Sequence, residues 1–435
     1  MRKTTRKAWA LAAGVMSISL LGTACSDGGS SAEGGTDGDE AITLTIATFN
    51  DFGYTEELLA EYTELNPNVK VEQTRAAQSA DARTNLTTKL AAGGAGLADI
   101  EAIEVDWLPE LVASADAFAD LSDDAVEGRW DEWKVAAATA EDGRLIGYGT
   151  DIGPEGICYR ADLFEAAGLP TDRAAVAELL GGENATWDSY FEVGRQFVAA
   201  TPDVAWFETA GSIYQGMVNQ LENAYEESDG TAKPLAENTD VKDAYLATVT
   251  ASADLSANLA QWSGDWDAAF QNNSFATMLC PAWMTGPIEE RAGGVTGWDV
   301  ADVFPGGGGN WGGSYLTVPA SGKNVDEAKA LAEWLTSPET QVKAFLNAGT
   351  FPSQVEAWES ADLTGATNDF FNDAPVGEIF ANRAAAIDVT PFKGENYFEI
   401  HQVVSDAINR VDIEKSETPE QGWDSAVQAF SNLDL

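Results

Sequence analysis

Alternation opens the body of this chain. In ITLTIATFN, residues 42–50, Ile42, Leu44 and Ile46 alternate with smaller or polar positions, the period-two pattern of a strand with one buried face. DFGYTEELLAEYTELNP follows, with Leu58, Leu59, Tyr62 and Leu65 at three- and four-residue spacing before Pro67, which predicts a helix that stops at the proline. VKVEQ then reads as a second strand. DARTNLTTKLAAG and DIEAIEV repeat the order, so the first part of the body predicts a parallel sheet covered by helices. Further strands are expected at FATMLC, WDVADV and YLTVP. Helices dominate elsewhere, notably NVDEAKALAEWLTS, YFEIHQVVSDAINRV and GWDSAVQAF. No internal repeat or heptad array interrupts this order.

The pattern changes ahead of residue 41. MRKTTRK carries Arg2, Lys3, Arg6 and Lys7, and AWALAAGVMSISLLGTA is an uncharged, mostly apolar run ending in small residues, which is the layout of a secretory signal over residues 1–24. Cys25 follows directly. Residues 26–40, SDGGSSAEGGTDGDE, hold no aliphatic side chain larger than Ala. Such a segment cannot bury enough apolar area to offset the entropy of ordering, so residues 25–40 are expected to form a flexible acidic linker. No other window approaches the roughly 18 apolar residues of a membrane span.

Length and charge narrow the function classes. A chain of 435 residues exceeds one ordinary core and suggests about two domains. The formal charge of −47 excludes nucleic acid and anionic membrane surfaces as partners, because such binding rests on Lys and Arg against phosphate. It reads instead as a solvated surface. Cys158 and Cys280 each sit in an apolar run, GICYR and FATMLCP, where a disulfide and two buried thiols fit equally.

Candidate chemistry gathers at the carboxyl ends of predicted strands, where open parallel sheets bind ligands. Asn50, Asp51 and Phe52 follow the first strand, Asp106 and Trp107 follow DIEAIEV, and Trp283 follows FATMLC. FPGGGGNWGGSY, residues 304–315, crowds glycines around Trp311 and runs through Gly312, Gly313 and Ser314 into YLTVP. Polar hydrogen bonders beside flat aromatics suit sugars, whose hydroxyls need carboxylates and amides while their C–H faces pack on indole. The chain has 14 tryptophans. Trp187, Trp334, Trp358 and Trp423 lie in helical patterns and are expected to pack, whereas Trp283 and Trp311 adjoin Pro or Gly and are expected to meet a ligand. The glycines are expected to let backbone amides approach a sugar edge, with a plain surface turn as the alternative.

Other chemistry finds little support. No Lys-Ser or Lys-Thr follows the glycines, so a phosphate loop is excluded. His401 is the only histidine, which removes catalytic triads and multi-histidine metal sites and leaves helix surface or packing as its expected role. No Cys/His spacing, dinucleotide fingerprint or Walker motif appears, so no metal or cofactor is expected. A glycosidase is the rival class, with paired acids such as those of EVDWLPE and SGDWDAAF. With 71 acidic residues, however, such adjacency is expected by chance.

The order of the signal and Cys25, the acidic linker, TLTIATFNDFG, LADIEAIEVDWLPEL, GYGTDIGPEGICYRADLFEAAGLP, FATMLCPAWMTGPIE and GGNWGGSYLTVP resembles the extracellular solute-binding lipoproteins of carbohydrate ABC importers. It is similar in particular to the actinobacterial members associated with cellobiose and cello-oligosaccharides. The resemblance implies an α/β fold of the two-lobe, class II periplasmic-binding-protein type. Lobe 1 is then 41–150 plus about 317–350, and lobe 2 is 151–316 plus about 351–435. Crossings between the lobes are implied near Asp151–Pro154, Thr317–Ala320 and Gly349–Pro352.

For the site, the resemblance implies a sugar-stacking role for Trp283, a polar pair at Asn50 and Asp51, and an acid and aromatic at Asp106 and Trp107. It further implies a carboxylate at Asp151 or Glu155, a second-lobe contact at Tyr214 and Gln215, and another at Tyr397 with Phe398. It also implies lipidation at Cys25 on the outer face of the cell membrane; no enzymatic activity is expected from the absence of any catalytic motif, and a monomer is the default. Its partners would be an oligosaccharide and an ABC permease. Cellobiose, cellotriose, other β-glucosides and α-linked maltose all remain open as ligands.

Overall fold

A computed structural model describes residues 41–433 and 435. The expected signal, Cys25 and the linker up to residue 40 lie outside the described residues. β1 (Ile42–Phe49), β2 (Val69–Ala76) and β3 (Ile100–Glu104) form where alternation predicts them, and β1 pairs in parallel with both neighbours. The helix Glu56–Leu65 supplies the first crossover, capped by the Thr55 hydroxyl, which accepts the Leu58 N–H. Leu58, Leu59 and Tyr62 of that helix are buried; Leu65, the last of the apolar stripe, stays exposed.

Seven of the remaining strands are β4 (Tyr148–Gly149), β5 (Asp151–Ile152), β6 (Glu155–Arg160), β7 (Ala205–Phe207), β8 (Phe275–Pro281), β9 (Trp298–Ala301) and β10 (Ser314–Thr317); β11 (Phe351–Pro352) completes the set. The first sheet runs β2-β1-β3-β10-β4, and β10 lies antiparallel to β3 and β4. The second runs β7-β8-β6-β9, with β6 antiparallel to β8 and β9. Each sheet heads one lobe with helices over it. Behind the second sheet, the helices Thr239–Leu255, Tyr397–Asp412 and Pro419–Phe430 share a further core with Ala210–Val218, built on Tyr245, Ile400, Val404, Ile408 and Trp423.

Three segments cross between the lobes and are laced together. β5 pairs with β11 antiparallel, Asp151 opposite Pro352 and Ile152 opposite Phe351. The middle crossing is the glycine stretch itself. Thr317, expected at a crossing with Ala320, instead sits inside β10 opposite Glu101, so the chain changes lobe before Ser314. The Trp311 N–H donates to the Gly153 carbonyl at 2.9 Å, and the Gly153 N–H donates to Asn310 Oδ1 at 2.8 Å. Asn310 Nδ2 donates onward to the Gly312 carbonyl. Asp151 Oδ1 accepts the Ser314 N–H and the Thr150 hydroxyl at 2.9 and 2.7 Å.

Two further ties hold the second lobe. Cys158 and Cys280 are joined by a disulfide. They occupy diagonal positions on β6 and β8, Cys158 opposite Met278 and Gly156 opposite Cys280, which brings their Cα atoms to 5.4 Å. Past β7, the Phe207 and Glu208 carbonyls accept N–H groups of Ala257 and Leu259, and Glu208 Oε1 accepts from Gln261 Nε2 at 3.2 Å. The buried Glu208 carboxyl thus anchors the segment leading to Trp262; burial raises its pKa to about 7.

Both ties are testable. The disulfide spans 122 residues, so replacing both cysteines by alanine is expected to cost about 3 to 5 kcal/mol. A calorimetric melting temperature unchanged in the double variant would show that the bridge contributes nothing. Glu208 has a folded pKa above its unfolded one, so its stabilising contribution is present below the ordinary carboxylate range and is lost as pH rises through about 7. Glu208→Gln is expected to gain on the parent between about pH 5 and pH 8, by up to about 3 kcal/mol in urea unfolding. An offset between the two proteins that stays constant with pH would assign the effect to packing instead.

Candidate functional site

A cleft of about 320 Å³ lies between the lobes, beside the crossings, within the size range of small-ligand pockets. Lobe 1 contributes the ends of its strands. After β1, Asn50 takes a left-handed φ of 46°, a conformation Asn tolerates better than most residues, and directs the chain to Asp51 and Phe52 on the cleft wall. After β3, Glu104 and Asp106 face the cleft, and Glu104 Oε2 accepts the Asp106 N–H at 2.9 Å.

Lobe 2 supplies the indoles. Trp283 follows β8, and its Nε1 donates to the Trp311 carbonyl at 2.8 Å, which seats it against the middle crossing. The Trp283 and Trp311 rings meet at 84° with centroids 5.8 Å apart, forming a corner. Trp262 lies nearly parallel to Trp283, at 20° and 6.3 Å. It holds a φ of 65°, rare for a bulky side chain, at a strain of about 1 to 3 kcal/mol. Arg291 lies 5.3 Å over its outer ring face. The helix Tyr397–Asp412 buries Tyr397, Ile400, Val404 and Ile408 and turns Phe398, His401, Gln402 and Ser405 to the cleft.

The acids differ in what they can still accept. Asp51 is held by Arg75 at 2.7 Å and by the Gly53 N–H. Asp106 is ion-paired across the cleft with Lys393, and both side chains are largely buried. Asp151 is committed to Thr150 and Ser314; burial raises its pKa, opposed by Lys134. Lys134 is itself buried, donating to the Asp151 carbonyl at 2.8 Å with its Nζ 3.9 Å over the Tyr315 ring. Glu104 keeps one oxygen without a protein partner among the described residues, as Asp106 and Asp151 do at Oδ2, but Glu104 has neither an ion pair of its own nor a hydroxyl donor. Burial first, and then the neighbouring Asp106, push its pKa well above the carboxylate range.

Of the residues expected at a ligand, Asn50, Asp51, Phe52, Asp106, Asp151, Trp283, Trp311, Gly312, Gly313 and Ser314 meet at this cleft. Others do not. Trp107 points into the lobe 1 core with its Nε1 donating to Ser79, at the end of the turn that leads from β3 into the helix Leu108–Val112. Glu155 is fully buried beneath Gly309 with both oxygens unpartnered, and burial raises its pKa strongly. Tyr214, Gln215 and Tyr397 are also buried: Tyr214 bonds Tyr225, Gln215 bonds Asn219, and Tyr397 packs beneath His401.

Among the cleft residues that sequence reasoning did not single out as ligand contacts are Glu104, named only within the paired acids of EVDWLPE, Trp262 and His401; His401, expected on a helix surface or packed, stacks on Tyr214 and Tyr397 and also lines the cleft. The glycines serve more than one purpose. A Cβ on Gly308 would sit 2.1 Å from the Ala386 carbonyl oxygen, whereas Gly313 needs its φ of 106° to carry the chain across.

A second groove of about 940 Å³ opens on the far side of Asn310 and Lys393, but Trp133 is its only indole. Sugar-type chemistry therefore converges on the smaller cleft.

Comparison with known proteins agrees in fold. A crystal structure of an extracellular solute-binding protein of family 1 is 49% identical, covers 90% of this chain and 99% of its own, and superposes with a TM-score of 0.78. The ABC-transporter-associated binding protein of B. animalis subsp. lactis Bl-04, solved with β-1,6-galactobiose, is 19% identical with a TM-score of 0.74, covering 89% and 96% of the two chains. A lactose-binding protein of Rhizobium radiobacter is 26% identical over 57% of this chain, and the match spans only 57% of that relative's length. An arabinooligosaccharide-binding protein of Halalkalibacterium halodurans is 22% identical over 80% of this chain and 74% of its own. The profile of bacterial extracellular solute-binding proteins matches residues 57–370, and with the two-lobe fold and interlobe cleft this places the chain in that family.

Proposed function

We propose that this protein is the substrate-binding component of an ABC sugar importer. It takes an oligosaccharide, cellobiose or a short cello-oligosaccharide in the first instance, into the cleft between the lobes and presents it to a membrane permease. The observation that carries the reading is the indole corner of Trp283 and Trp311, extended by Trp262 and faced by Glu104 and Asp106 from the other lobe. Indole plates bury the C–H faces of a pyranose ring, and carboxylates accept from its hydroxyls. The relatives named for lactose and arabino-oligosaccharides, and the neighbour holding galactobiose, support ligands of more than one ring. The choice of β-glucosides rests on the sequence resemblance, and a maltose-type sugar is the competing ligand.

Capture needs a change in lobe angle, since a ligand bridging both walls favours the state in which they approach. Lipidation at Cys25 and the acidic linker would keep a monomeric body near the outer membrane face, within reach of the permease. Hydrolysis is disfavoured by the same geometry. A glycosidase needs two matched carboxylates, and here Asp106 is ion-paired with Lys393 and Asp151 is held by Thr150 and Ser314.

Titration calorimetry with cellobiose, cellotriose, lactose and maltose tests the reading. Trp283→Ala is expected to weaken binding of the preferred sugar by about ten- to a hundredfold through the loss of roughly 1.5 to 3 kcal/mol of stacked apolar area. Trp311→Ala is expected to cost less, because its carbonyl still seats Trp283. Undiminished affinity in a folded Trp283→Ala variant, or no heat from any sugar with the parent protein, removes the sugar from this cleft.

A further inference from the structure

His401 lines the cleft with one ring nitrogen committed and the other free. Its Nδ1 lies 2.9 Å from the Tyr225 hydroxyl, which lies 2.7 Å from the Tyr214 hydroxyl. Among the described residues Nε2 has no protein partner, and the ring is sandwiched between Tyr397 at 5.9 Å and 5° and Tyr214 at 5.8 Å and 22°. Tyr214 and Tyr225 are both fully buried, and the Tyr214 hydroxyl has Tyr225 as its one partner.

Two proton arrangements compete along this chain. With hydrogen on Nδ1, the ring donates to Tyr225, Tyr225 donates to Tyr214, and the Tyr214 hydrogen is left in buried surroundings without an acceptor, which is unfavourable. In the reverse order, Tyr214 donates to Tyr225 and Tyr225 donates to Nδ1. Every hydroxyl hydrogen is then placed. The ring is neutral at pH 7, since burial brings its pKa down to about 4, with Asp106 opposing and Lys393 reinforcing the shift. A neutral imidazole that accepts at Nδ1 carries its hydrogen on Nε2.

We infer that His401 is a ligand-recognition residue, fixed as the Nε2–H tautomer by the positioning residue Tyr225, whose hydroxyl Tyr214 supports, so that lobe 2 presents a neutral hydrogen-bond donor to the acidic wall of lobe 1. The pairing selects for chemistry. Glu104 and Asp106 offer acceptor oxygens, so a group that donates to them and accepts from His401 satisfies both walls. A hydroxyl does both. An ammonium group, which the acids alone would attract, has no lone pair for the His401 N–H. The identity of the ligand group rests on the sugar reading above, whereas the tautomer does not.

Because the chain has a single histidine, long-range proton–nitrogen correlation spectra of 15N-labelled protein report this ring without assignment. The ligand-free parent at pH 7 is expected to show a protonated Nε2 and an unprotonated Nδ1, a result that needs no variant to fold. Tyr225→Phe is expected to populate the Nδ1–H form and to weaken cellobiose binding about fivefold, the worth of one hydrogen bond. Tyr214→Phe is expected to leave the tautomer in place. His401→Gln, which keeps an N–H near the Nε2 position, is expected to stay within about twofold of the parent, and His401→Phe to lose about fivefold. A protonated Nδ1 in the parent, or cellobiose affinity unmoved by both Tyr225→Phe and His401→Phe, overturns the inference. The expected tautomer in a parent that binds no cellobiose supports the proton arrangement and counts against the sugar reading alone.

Discussion

Backbone that passes between two lobes must keep its hydrogen bonds where neither sheet can supply them. In this protein side chains and neighbouring crossings do so. Asn310 takes the Gly153 N–H and gives to the Gly312 carbonyl, and Asp151 takes the Ser314 N–H. Lys134 rises beneath to the Asp151 carbonyl. Unpaired backbone groups at buried positions are costly, so these few polar side chains are what allow three bare segments to run side by side. The site inherits its geometry from them. Trp311 sits within the laced segment, and Trp283 is hung from the Trp311 carbonyl. The platform and the crossing are therefore one piece of chain.

The charge layout follows a similar economy. A strongly acidic protein risks self-repulsion wherever carboxylates converge, and the cleft gathers Asp51, Glu104, Asp106 and Asp151. Three of them are answered locally, by Arg75, by Lys393 from the opposite lobe, and by the Thr150 hydroxyl with the Ser314 N–H. Glu104 is left to meet whatever enters, and desolvation favours its neutral form.

Much of the fold could be read from residue order because the strands of lobe 1 alternate. β1 has one face against the core, so its period shows. β6 is buried along its whole length, as EGICYR, and a continuous buried run has no period to read. β4, β5 and β11 are two residues each, too short for any pattern. The site was legible where a residue type and a strand end coincide, as at Asp106 and Trp283. It was not legible where direction decides. Trp107 follows Asp106 in sequence and faces away from it, and Tyr214 and Tyr397 form a layer behind the wall. His401 lies on the polar stripe of an amphipathic helix, and a polar stripe looks the same whether bulk water or a second lobe lies opposite.

The place of β10 bears on how the protein is made. β3 is complete at Glu104, yet the strand that covers its free side begins only at Ser314, after the whole second sheet has been synthesised. Until then a nascent lobe 1 presents an open sheet edge able to pair with another chain. The two lobes cannot mature one after the other, so the growing polypeptide has to be kept from its neighbours until its last third arrives.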